Sequence, residues 1–156
     1  MAKRKILIVD YDKKSLEKLE ELFTSQGFQI IKAADGQSAY DIYKKEKPDL
    51  MLIEAMLPKL HGFDLTQKIY SETKGAVPVV ILTGLYKGPQ YKNEAIRSFG
   101  AADYFEKPYD KEKLVSSIKN LLHDEIDIKE ELPDPASVIA MISAMIPKKD
   151  SSKKRN

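Results

Sequence analysis

Five short apolar runs, KILIV (5–9), FQIIKA (28–33), DLMLI (49–53), VPVVILT (77–83) and ADYFE (102–106), recur along the chain without strict apolar and polar alternation. Runs of this kind read as strands buried on both faces, the signature of a parallel sheet. Segments with helical spacing separate them. The first places Leu16, Leu19, Leu22 and Phe23 on one face and ends at Gly27, since glycine tolerates the left-handed conformation of a helix end. The second begins near Asp35, buries Ala39, Ile42 and Tyr43, and stops before Pro48. The third runs from about Phe63 with Leu65 and Ile69 inward, and the fourth carries Ala95, Ile96 and Phe99 to Gly100. The fifth starts at Asp110, a side chain suited to capping free amides, and aligns Leu114, Ile118, Leu121 and Leu122.

Strand followed by helix, five times over, predicts an α/β fold: a doubly wound five-stranded parallel sheet with right-handed crossovers and helices on both faces. In such sheets the active groups collect at the carboxyl ends of the strands, where the strand order reverses. Asp10, Glu54, Thr83 and Lys107 each close one of the runs. Topology alone therefore predicts that these four residues share a pocket.

The length of 156 residues allows one domain of ordinary size plus an appendage. With 42% hydrophobic and 32% charged residues, the composition is that of a globular protein. The balance of 26 basic against 24 acidic residues gives no case for a nucleic-acid surface. Cysteine is absent, which excludes disulfides, thiolate metal sites and cysteine nucleophiles. The apolar run ILIV near the N-terminus is too short for a signal-peptide core, and nothing approaches the roughly 20 apolar residues of a membrane span, so a cytoplasmic location is expected.

A change of composition at Asp124 predicts a domain over 1–123 and a tail over 124–156. The tail is expected to hold a short apolar helix at about 136–146 and a disordered basic end. Met141 and Met145 lie in that apolar segment, which either packs on its own domain or offers an adaptable surface to a partner.

The motifs ILIVDYD, PDLMLIE followed by LPKLHG, VVILTG and YFEKPY, in this order across roughly residues 4–123, resemble the receiver domain of two-component response regulators. The resemblance implies a flavodoxin-like, CheY-like sheet order 2-1-3-4-5. It also implies a signalling module, not an enzyme, in which a histidine kinase or small phosphodonor passes a phosphoryl group to an aspartate beside Mg2+. By the same resemblance Asp10 is one acid of the metal site, Thr83 the switch hydroxyl, Tyr104 the switch aromatic and Lys107 the phosphoryl-pairing lysine. Pro108 matches a proline often reached through a cis bond. The chemistry asks for these groups, because a carboxylate attacking phosphorus needs cations and a hydroxyl around the developing charge.

The chain departs from that pattern twice. Tyr11 stands at the second acidic position, leaving Asp12 and the Met56 carbonyl as replacement ligands for Mg2+ and placing a phenol where metal-bound water belongs. Glu54 stands at the acceptor position, where one added methylene moves the carboxylate by about 1.5 Å. A longer carboxylate is expected to reach towards Lys107 and Thr83, so that an ion pair stands in for phosphorylation or locks one conformation. These departures describe an atypical or pseudo-receiver that binds a partner, or itself, independently of phosphorylation. The alternative is a working receiver that takes a phosphoryl group with Mg2+ and releases it by autodephosphorylation.

The loop after Thr83 is longer than the family's common spacing. Tyr86, Lys87, Tyr91, Lys92 and Arg97 are expected on or near the surface that meets a histidine kinase, a downstream effector or a second copy. The two tyrosines also suit plain loop packing. His61 and His123 have no partners at metal-ligand spacing. A nucleotide or flavin site is disfavoured because DYDKKS, after the first strand, sets acids where a phosphate would lie. DNA and membrane partners are not expected, since no helix-turn-helix pattern follows and no segment is long and apolar enough to span.

Overall fold

The computed structural model of the protein describes residues 3–123. Strands β1 (Lys5–Val9), β2 (Gln29–Ala33), β3 (Leu50–Ile53), β4 (Val79–Thr83) and β5 (Asp103–Glu106) alternate with helices α1 (Lys13–Ser25), α2 (Gly36–Glu46), α3 (Gly62–Thr73), α4 (Pro89–Arg97) and α5 (Lys111–Leu121). All pairings are parallel, and the sheet order is β2-β1-β3-β4-β5. The predicted tail with Met141 and Met145 lies outside the described residues.

Successive side chains of a strand point to opposite faces, and this divides the core in two. Leu7, Val9, Met51, Ile53, Val79 and Ile81 meet Ala39 of α2, Leu65 and Ile69 of α3, and Ala95 of α4. The residues between them, Ile6, Ile8, Leu50, Leu52, Val80 and Leu82, meet Leu19 and Phe23 of α1 and Leu114 and Ile118 of α5. A run that must be apolar on both faces cannot alternate, which explains the sequence pattern of the inner strands.

Burial on both faces fails for the two outer runs. β2 and β5 are edge strands with one neighbour each, and Gln29, Lys32 and Glu106 face solvent. The fourth helix also differs from expectation. It stops at Arg97, after which the Ser98 and Phe99 amides both donate to the Glu94 carbonyl and Gly100 turns with φ +83°. Ala95 is fully buried, whereas Ile96, about 100° further round the helix, is 38% exposed. Ile42 and Tyr43 are only half-buried at the margin of the core.

Local chemistry sets the helix starts. The Asp35 carboxylate accepts from the Ser38 amide at 2.7 Å, and the Asp110 carboxylate accepts from the amides of Glu112 and Lys113. The Ser38 amide bond, helped by the Ser38 hydroxyl and the Lys59 ammonium, holds the Asp35 carboxyl below its ordinary pKa against the opposing effect of burial. At α3 the cap is His61, whose Nδ1 accepts from the Phe63 amide at 3.1 Å. Gly62 beside it donates to the Ala55 carbonyl at 2.8 Å, and a Cβ there would run into the Glu54 carbonyl and the Ala55 backbone. Only glycine lets α3 start this close to the end of β3.

Candidate functional site

The strand order reverses between β1 and β3, and the chain leaves these neighbours for opposite faces, through α1 on one side and α3 on the other. The crevice that this opens receives Asp10 and Glu54, each one residue past its strand and 1% and 4% exposed respectively. Lys107 enters from the end of β5, two strands away from β3. Its Nζ donates to Asp10 Oδ2 at 2.8 Å and lies 3.1 Å from Glu54 Oε1. The other Glu54 oxygen, Oε2, accepts from the Met56 amide at 3.0 Å.

The pocket therefore sets two buried carboxylates against one ammonium. Burial works against the charge of Lys107, but its hydrogen bond to Asp10 and the negative charges of Asp10 and Glu54 outweigh that cost. The Lys107 pKa lies above the ordinary lysine value as a result. The expected ion pair between Glu54 and Lys107 is present, and Asp10 joins it. The peptide between Lys107 and Pro108 is cis.

A magnesium ion is held by one or two carboxylates with waters completing its octahedron, and in this arrangement the Asp10 and Glu54 carboxylates are both drawn onto Lys107. Both Asp10 oxygens are in use, Oδ1 by the Asp12 amide at 2.9 Å and Oδ2 by Ser15 Oγ at 2.7 Å and Lys107. Asp12 is exposed and caps α1 without a side-chain hydrogen bond. Among the described residues no group of three or more acids or histidines is placed to hold a metal. Tyr11, just past the end of β1, is 56% exposed.

Thr83 is fully buried at the end of β4, yet its hydroxyl does not meet Glu54 among the described hydrogen bonds. Thr83 Oγ1 instead accepts from the amides of Leu85 at 3.1 Å and Tyr86 at 3.4 Å, because the chain curls back over the strand end. Tyr104, 4% exposed on β5, donates its phenolic hydrogen to the Tyr86 carbonyl at 2.5 Å. Burial first, then the charges of Glu106 and Glu54, push the Tyr104 pKa up to about 12, so the phenol stays a donor at neutral pH. The Tyr86 hydroxyl lies 3.2 Å from His61 Nε2, and the Tyr86 ring packs against His61, Phe63 and Tyr91. Glu106 closes the loop by accepting from the Gly88 amide at 2.7 Å.

Of the residues expected at a partner surface, Lys87, Lys92 and Arg97 are exposed, while Tyr86 and Tyr91 are half-buried in the aromatic cluster. Sequence reasoning missed Ser15, His61 and Glu106 as members of the site. Ser15 carried a weak signal, a hydroxyl in the first turn after Asp10, and His61 another, a histidine before glycine at a helix start. Glu106 carried none beyond its place on the outer strand.

Residues 6–119 match the family model described as the response regulator receiver domain. Protein PilH of Pseudomonas aeruginosa is 33% identical over 119 residues, covering 76% of this chain and 97% of PilH. The transcriptional regulatory protein CpxR of Escherichia coli K12 is 36% identical over 118 residues, covering 76% of this chain and 49% of CpxR. The chain spans about half to three fifths of the length of several curated relatives it matches, among them the probable transcriptional regulators ycf27 of Porphyridium aerugineum and Porphyra purpurea at 55% and 60%. Among solved structures, a putative response regulator from Chloroflexus aurantiacus superposes with a TM-score of 0.72 at 31% identity, covering 78% of this chain and 99% of that one. A chain of the CheX–CheY–BeF3–Mg2+ complex from Borrelia burgdorferi superposes with a TM-score of 0.69 at 29% identity, covering 76% and 88%.

Proposed function

We propose, from the premise that this chain belongs to the response regulator receiver family, that it is a receiver whose output is set by its own ion pairs and not by a phosphoryl group. The observation that carries this reading is the position of Lys107 Nζ, held between Asp10 Oδ2 at 2.8 Å and Glu54 Oε1 at 3.1 Å. The lysine that would pair with an incoming phosphoryl group already has a carboxylate partner at the acceptor position. Replacing that partner costs a buried contact before any chemistry begins.

Glu54 is poorly placed as a nucleophile for two further reasons. Its Oε2 is committed to the Met56 amide, and among the described residues Lys107 is the cation paired with it. Positioned chemistry loses on the order of a hundredfold per 1 Å of misplacement. The residues to which the family resemblance gives the readout also support this reading. Thr83, Tyr104 and Glu106 together hold the loop from Gly84 to Gly88 and leave Lys87, Lys92 and Arg97 exposed for a protein partner or a second copy. A cytoplasmic location goes with this reading.

Intact-mass measurement after treatment with Mg2+ and a small acyl phosphate tests it, with the Tyr11→Asp, Glu54→Asp double variant beside the parent. The parent is expected to gain no phosphoryl group and the double variant to gain one in part of the population. Efficient labelling of the parent would establish a working receiver and remove this reading.

A further inference from the structure

We infer that Ser15 is a positioning residue that keeps Asp10 as an anchor for Lys107 and out of the role of metal ligand. The assignment rests on the phosphorylation-independent reading and adds to it the group that fixes the acid. A carboxylate oxygen presents two lone pairs. At Asp10 Oδ2 both are filled, one by Lys107 Nζ at 2.8 Å and the other by Ser15 Oγ at 2.7 Å. Oδ1 accepts from the Asp12 amide at 2.9 Å. A cation that takes Asp10 through Oδ2 has to displace Lys107 or Ser15.

The local structure makes this contact a choice of the side chain. A helical serine commonly turns to its own backbone or to water. Ser15, in the first turn of α1 and only half-buried, reaches five residues back to Asp10. The Tyr11 side chain supplies no second carboxylate to draw a cation in, so the hydroxyl competes with a weakened rival. A supporting partner behind a metal ligand would act in the opposite sense, since its removal lowers metal affinity. The sign of the effect separates the two roles. Alanine favours a helix more than serine does, so Ser15→Ala does not threaten the fold.

The test uses the full chain in a Tyr11→Asp background and measures Mn2+ affinity by the electron paramagnetic resonance of the free ion. Adding Ser15→Ala is expected to tighten Mn2+ binding about tenfold, the order of one lost hydrogen bond to a charged group. Ser15→Thr, which restores the hydroxyl, is expected to return the affinity to that of Tyr11→Asp alone. In the otherwise unchanged protein, the Lys107 ammonium resonance is expected to lose protection from exchange in Ser15→Ala and to keep it in Ser15→Thr. Mn2+ affinity no greater with Ser15→Ala than without it, absence of binding to both included, overturns the assignment. Such a failure leaves the phosphorylation-independent reading standing, because that reading is decided by the mass of the parent alone.

Discussion

Tyr104 and Tyr86 are joined by a hydrogen bond from phenol to carbonyl at 2.5 Å, which fastens the loop after β4 to the edge strand β5. Removing the hydroxyl in Tyr104→Phe keeps the ring in the core but leaves the Tyr86 carbonyl without that donor. The expected cost is about 1 kcal/mol in denaturant unfolding. Faster amide exchange is expected at Leu85 and Tyr86, whose N–H groups bond to Thr83. Unchanged exchange there would mean that Thr83 alone holds the loop.

The same phenol sets an alkaline limit. Burial raises the folded pKa of Tyr104 to about 12, against about 10 in an unfolded chain. A raised folded pKa means that the stabilisation is fully present below the unfolded value and is lost as pH rises through the folded one. Lys107, with its pKa raised by Asp10 and Glu54 against the effect of burial, acts in the same direction. Stability is therefore expected to fall between about pH 10 and about pH 12. Tyr104→Phe is expected to flatten that fall in part, as followed by unfolding midpoints across the range.

Lys107→Met leaves Asp10 and Glu54 facing each other without a shared cation. Removing one partner of a fully buried pair costs about 3–5 kcal/mol. The Lys107 side chain is 22% exposed, so a loss of about 2 kcal/mol is expected here. Adding Glu54→Gln takes away the like charge and should recover part of the loss. A double variant no more stable than Lys107→Met would show that the two carboxylates do not repel across the pocket.

Gly62→Ala is expected to destabilise by about 2 kcal/mol despite the better helix propensity of alanine, because its Cβ meets the backbone of Glu54 and Ala55. The strain falls where the Glu54 carboxylate is aimed. The variant is therefore also expected to shift the Lys107 ammonium resonance. A simple propensity effect would raise the unfolding midpoint and leave that resonance unmoved.

The architecture and the meeting of Asp10, Glu54 and Lys107 were legible because each depends on position along a strand, and strands are marked by apolar runs. The end of α4 was not, because the apolar Ile96 and Phe99 extend the helical pattern past the turn that Gly100 makes. Glu54 was expected to reach towards Thr83, but a threonine at a strand exit also finds partners in the amides just beyond it, and the Thr83 hydroxyl accepts from those of Leu85 and Tyr86. The contacts of Ser15 and His61 were not legible for a related reason. A hydroxyl or an imidazole bonds to whatever the fold brings within about 3 Å, and spacing in sequence carries little trace of that.

Lys107 directly follows an edge strand and reaches over β4 to acids that follow β1 and β3. An edge strand has a single ladder to break and is the first candidate to peel from a sheet. Here the lysine acts as a rivet driven across the grain of the strands. Detaching the end of β5 requires the buried cluster to open first, so the margin of the sheet inherits the resistance of its centre.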